Sequence, residues 1–181
     1  MKRDEQKRKN DEIRRNKQIK EENNTKQSIK GDVDFQMLIE NLRKKIYLVN
    51  PQPHIFSQHF KISINVRKRP IFPKELFNAE IDCVSVTNPK IQVHECKFKV
   101  DGISKHLENH EFIFDNSFGE NDSTENVYIY TFKPLIHKLF SKGIITCFAY
   151  GQTGSGKTYT MEHIEKAAIL DIFNYSNSKY K

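Results

Sequence analysis

The chain has 181 residues, enough for one domain with a sizeable core, but only 36% are hydrophobic and 29% are charged, so part of it is expected to stay solvated. The net charge of +7 is concentrated at the start, where residues 1–31 hold eleven Lys/Arg against six Asp/Glu. No stretch approaches the ~20 apolar residues of a membrane span, and the three cysteines, Cys83, Cys96 and Cys147, lack the CxxC spacing of a zinc site and fit a reducing compartment.

Residues 1–31 read as a disordered, basic extension suited to an acidic partner: nucleic acid, anionic lipid or an acidic protein surface. No RNA- or DNA-binding motif accompanies the charge, which argues against nucleic acid, and no apolar leader points to a membrane. From Phe35 the pattern changes, because Phe35, Leu38, Ile39, Leu42 and Ile46 recur at offsets of three and four and predict a helix, with Asp34 as its cap. It should end before Asn50-Pro51-Gln52-Pro53, so residues 32–60 read as a neck helix and linker.

Residues 61–181 read as the main domain. Ile62, Ile64 and Val66 alternate with polar residues as in a strand that Arg69-Pro70 stops. Extended segments follow at about 81–86 and 91–100, separated by Asn88-Pro89, and Phe112-Ile113-Phe114 predicts another short strand. Asp122 with Glu125 three residues on predicts a capped helix through Val127, Tyr130, Leu135, Leu139 and Phe140, kinked at Pro134. The run Ile144-Ile145-Thr146-Cys147-Phe148-Ala149-Tyr150 predicts a buried strand leading into Gly151, with a helix from Thr158 to about Asn174 beyond the loop. The order of elements implies an α/β fold, a central sheet flanked by helices.

Gly151-Gln152-Thr153-Gly154-Ser155-Gly156-Lys157-Thr158 matches the phosphate-binding pattern G-x-x-x-x-G-K-[ST] at every fixed position. Glycines let backbone N–H groups turn inward around phosphates at the start of a helix, Lys157 supplies a point charge, and the Thr158 hydroxyl suits Mg²⁺. The loop alone fits ATPases, GTPases and kinases alike.

Its flanks narrow the choice. Phe148-Ala149-Tyr150 before the loop and Tyr159-Thr160-Met161 after it resemble the nucleotide loop of kinesins, and Val66-Arg67-Lys68-Arg69-Pro70 resembles the V-R-x-R-P segment of that family. The resemblance implies ATP with Mg²⁺ as cofactors and microtubules as partner, in the cytoplasm on the cytoskeleton. It places Arg67, Arg69 and Pro70 near the adenine and Tyr159 stacked on the base. Lys97-Phe98-Lys99-Val100-Asp101, with Leu107-Glu108-Asn109 beyond, resembles the extended loop of the internal-motor, microtubule-depolymerising subfamily. Lys99, Val100 and Asp101 would then contact tubulin from the tip of a hairpin, with Gly102 helping the reversal.

The resemblance covers about residues 34–161, and neither the Ser-Ser-Arg nor the Asp-Leu-Ala-Gly switch of kinesins occurs in the 181 residues. The expectation is therefore a partial, truncated kinesin-type motor, preceded by the basic extension and neck helix. Such a chain would bind nucleotide with feeble turnover, or act only as a non-catalytic microtubule binder.

Overall fold

A computed structural model describes residues 2–46, 52–55 and 61–179, so the predicted break at Asn50-Pro51 lies outside the described residues. The chain divides into two compact units, residues 1–49, 71–85 and 92–111 in the first and 50–70, 86–91 and 112–181 in the second.

The first unit opens with two helices, α1 (Lys2–Lys26) and α2 (Val33–Ile46). Helix α1 corrects the expectation of a disordered extension. Its residues are mostly straight-chain helix formers with no proline or glycine, signs alternate as in the Glu5–Lys9 pair (2.9 Å), and its second half leans on α2. Lys17 meets Asp34 at 2.7 Å, Lys20 meets Glu40 at 2.5 Å, and the Asn24 amide donates to Gln36 Oε1 at 2.7 Å. Asn24 is buried, whereas residues 3–16 are exposed. The cap of α2 is Asp32 rather than Asp34: its Oδ1 accepts from the N–H groups of Asp34 (3.0 Å) and Phe35 (3.2 Å). Phe35 and Ile39, from the predicted apolar stripe, are buried.

A short helix, α3 (Pro73–Phe77), is followed by strands β2 (Val84–Thr87), β3 (Lys90–Phe98) and β4 (Lys105–Ile113), ordered β2-β3-β4 in one sheet. The predicted strand at Phe112-Ile113-Phe114 is the end of β4, whose polar run Lys105 to Glu111 carries no alternation of apolar residues. One polar chain orders this sheet. Arg43 of α2 donates to Ser85 Oγ (3.0 Å) and to the carbonyls of Asp82 (2.8 Å) and Val84 (2.9 Å). Ser85 Oγ lies 2.7 Å from His94 Nε2, and His94 Nδ1 lies 2.6 Å from Asn109 Oδ1. Because the Asn109 oxygen only accepts, His94 carries its proton on Nδ1 and Ser85 donates to Nε2, so both buried groups are satisfied.

In the second unit β1 (Asn65–Arg67) pairs in parallel with β5 (Asn116–Phe118), with Val66 opposite Ser117. Helices α4 (Thr124–Thr131), α5 (Ile136–Leu139) and α6 (Lys157–Lys179) complete it. Its core joins Phe118, Val127, Tyr128, Ile136, Ile164 and Ala168, and the Tyr128 hydroxyl donates to Asp171 at 2.7 Å. Ser123, not Asp122, caps α4 by accepting from the Asn126 N–H at 3.0 Å. The kink expected at Pro134 is a 3₁₀ turn, Lys133–Leu135.

The largest correction concerns residues 144–150. They form no strand, and Ile144 (94% exposed), Phe148 (88%) and Tyr150 (101%) face solvent. A buried strand needs ladder partners along its edges and apolar layers on its faces. Among the described residues, both sheets are made without it.

Candidate functional site

The loop from Gly151 ends in α6, whose first residue is Lys157. Gly151, Gly154 and Gly156 hold φ of 151°, 82° and 91°, a region that favours glycine. Gly151 is the most constrained, since a Cβ there would stand 2.6 Å from Ser155 Oγ. At Gly154 and Gly156 a Cβ would meet nothing within 4 Å, so that side of the loop is open. The Lys157 ammonium folds over the loop and donates to the carbonyls of Gly151 (2.7 Å) and Gln152 (2.8 Å). Gly151 to Gly154, Thr158 and Tyr159 are exposed, and Ser155, Gly156 and Lys157 are half-buried.

The V-R-x-R-P segment reaches the same place in the second unit. Arg67, at the end of β1, donates to Thr160 Oγ1 in the first turn of α6 (3.0 Å) and to Thr124 Oγ1 at the start of α4 (2.9 Å), and its guanidinium lies 5.5 Å from the centre of the Tyr159 ring. Two motifs far apart in sequence are thereby joined through Arg67. Lys68 pairs with Glu120 at 3.0 Å, and Arg69 donates to the Pro70 carbonyl at 2.9 Å. Thr124 was not singled out in the sequence and Thr160 only as part of the flank after the loop, since hydroxyls in helix-starting turns give no signal of their partner.

Lys99, Val100 and Asp101 belong to the first unit and form the turn between β3 and β4, as predicted. Val100 is fully exposed, at 109%. The turn is closed by the Lys99 N–H on the Ser104 carbonyl (2.7 Å) and the Gly102 N–H on the Lys99 carbonyl (2.9 Å), with Gly102 at φ 68°. Asp101 accepts from the N–H groups of Ile103 (2.9 Å) and Ser104 (2.8 Å) and from the Ser104 hydroxyl. These donors, the hydroxyl foremost, hold its carboxyl down at about 2.

At the root of the hairpin, Lys105 donates to Asp32 Oδ2 (2.6 Å) and Asp34 Oδ2 (2.9 Å). Those bonds, to Asp32 first, raise the Lys105 pKa, while Lys17 and then Lys105 lower that of Asp34. Sequence reasoning missed this contact, because residues about seventy apart give no local sign of pairing.

A glycine loop opening a helix, beside a parallel strand pair, defines a P-loop α/β protein. A family model described as the kinesin motor domain matches residues 67–181, and the chain belongs to that family. It is 43% identical over 148 residues to diatom spindle kinesin-1 of Cylindrotheca fusiformis, covering 79% of this chain and 24% of that protein. A solved structure of a KIF14 dimer, in its two-heads-bound state with AMP-PNP and in complex with a microtubule, is similar at a TM-score of 0.53 and 29% identity, covering 73% of this chain and 35% of that one. The chain thus spans about a quarter of the length of the curated relative. The fold is the α/β kinesin motor fold in part, sheets flanked by helices.

Proposed function

We propose that the chain is the nucleotide-holding element of a microtubule motor of the depolymerising type, working in the cytoplasm on the cytoskeleton. The observation that carries the reading is the Gly151–Thr158 loop at the start of α6, with Arg67 and Tyr159 beside it. The positive end of the α6 dipole suits the phosphates of ATP, and Lys157 can exchange two carbonyls for phosphate oxygens. Arg67 is anchored by Thr124 and Thr160, so the planes of Arg67 and Tyr159 suit a purine base, with Arg69 and Pro70 following on the same segment.

The donor set fits Mg²⁺ through the Thr158 hydroxyl, exposed in the first turn of α6, with phosphate oxygens and waters as the remaining ligands. When bound there, the ion would neutralise charge on the β- and γ-phosphates. The residues of this chain bind and orient.

Two surfaces suit tubulin. The hairpin tip presents Lys99 and Asp101 around an exposed Val100, which supports the depolymerising assignment, and the exposed half of α1 carries Arg3, Lys7, Arg8, Arg14 and Arg15. Binding through α1 should weaken with salt, since the Debye length is ~8 Å at physiological ionic strength.

Titration with a fluorescent ATP analogue tests the reading. Lys157→Ala should abolish binding, and unchanged affinity would refute the loop assignment. In parallel, alanine at Lys99, Val100 and Asp101 should reduce pelleting with microtubules and leave nucleotide affinity intact.

A further inference from the structure

The hairpin that carries Lys99, Val100 and Asp101 is held at its root by the neck. Lys105, first residue of β4, sends its ammonium to Asp32 and Asp34, at the start of α2. The same ammonium stands 5.3 Å from the centre of the Phe35 ring and 5.9 Å from that of Phe98, the last residue of β3. Phe35 and Phe98 meet edge to face at 5.6 Å. Lys105 is mostly shielded, at 19% side-chain exposure, so these pairs are less screened than surface ones. Asp34 is shared, because its other oxygen takes Lys17 of α1 at 2.7 Å. An unbroken series of contacts therefore runs from α1 through Asp34 and Lys105 to the two residues that bracket the turn.

We propose that Lys105 is a positioning residue: clamped by Asp32 and Asp34 against Phe35 and Phe98, it ties the orientation of the Lys99-Val100-Asp101 tip to the packing of α1 on α2. The proposal rests on the reading of the tip as a tubulin contact for its purpose, and on contacts within one unit for its mechanism. The tip turn is closed by its own bonds, and the clamp adds to them by holding the residues at its two ends, so it sets both where the turn points and how readily those bonds open. Aromatic faces add a directional component that a surface ion pair lacks, since the cation must stay over both rings. The shared Asp34 is what brings α1 into the clamp: losing Lys17 removes one of its two cations and loosens α1 on α2, leaving Lys20 and Asn24 to hold it.

Hydrogen exchange on the 181-residue chain, read amide by amide, tests it. Lys105→Met keeps the side-chain length and removes the charge. It should speed exchange across residues 99–104 about fivefold, the upper end of what partly exposed ion pairs supply, while Lys105→Arg should restore most of the protection. Lys17→Met touches neither the hairpin nor Lys105, yet should speed exchange at 99–104 about twofold through Asp34. If Lys105→Met leaves 99–104 unchanged, the clamp is wrong. If it acts but Lys17→Met does not, Lys105 is a local brace and the tie to α1 is refuted. Failure of the tubulin reading looks different: the triple-alanine tip would then pellet with microtubules as the parent does, with the exchange results untouched. Pelleting by Lys105→Met with its tip sequence intact should fall when both readings hold, and unaltered pelleting alongside faster exchange would contradict the positioning role.

Discussion

Two exposed segments of this chain differ in how they are held. Residues 99–103 of the tip are exposed, yet its turn is specified by its own residues: Asp101 accepts from two N–H groups and a hydroxyl two and three positions on, and Gly102 supplies the positive φ. The segment 144–150 is far more apolar and should be the better ordered, but a strand makes no bonds within itself and nothing among the described residues pairs with it. Exposure therefore says little about order. What matters is whether a segment's hydrogen bonds are met locally or by distant chain.

That contrast can be broken by substitution. Phe118→Ala removes a ring with 0% exposure from the core of the second unit and should cost about 3–5 kcal/mol, read by chemical denaturation. Ile164→Ala, from the same core, should cost about 2–5 kcal/mol. If Phe148→Ala cost as much as Phe118→Ala, residues 144–150 would be packed and the account of them wrong.

A smaller effect sharpens the other side. The Asp101 carboxyl is held at about 2 against an ordinary value of 3.8, so the bonds it accepts contribute fully above about pH 4 and are lost as pH falls toward 2. The amide signals of Ile103 and Ser104 should move over that interval, and Asp101→Asn should remove the titration. A transition centred near the ordinary carboxylate value would show that the turn is not closed by Asp101. Smallest of all, Ile144→Ser should change stability by less than about 0.5 kcal/mol.

The same distinction explains what was legible in the sequence. The stripe Phe35, Leu38, Ile39, Leu42 and Ile46 gave α2, since helix bonds and faces repeat within a few residues. The glycine-rich loop from Gly151 and the turn at the tip were legible because glycine and aspartate act on their immediate neighbours. Caps were misplaced by one or two residues, Asp34 for Asp32 and Asp122 for Ser123, because several adjacent side chains could each reach the free N–H groups. Helix α1 was missed because its composition suits solvated chain as well as helix, and its hold on α2 through Lys17, Lys20 and Asn24 is tertiary. The strand at 144–150 failed for the converse reason, an apolar pattern without its partners. Within the site, Arg67 and Tyr159 were named from sequence, whereas the threonines that anchor Arg67 were visible only once β1, α4 and α6 were in place.

The central claim, that the Gly151–Thr158 loop receives nucleotide phosphates while the tip serves a different purpose, is tested most directly by hydrogen exchange with and without Mg-ATP. The account predicts slowed exchange at amides 154–158, lost in Lys157→Ala, with residues 99–104 unaffected. Protection that persisted in Lys157→Ala, or that appeared at the tip and not at the loop, would contradict it.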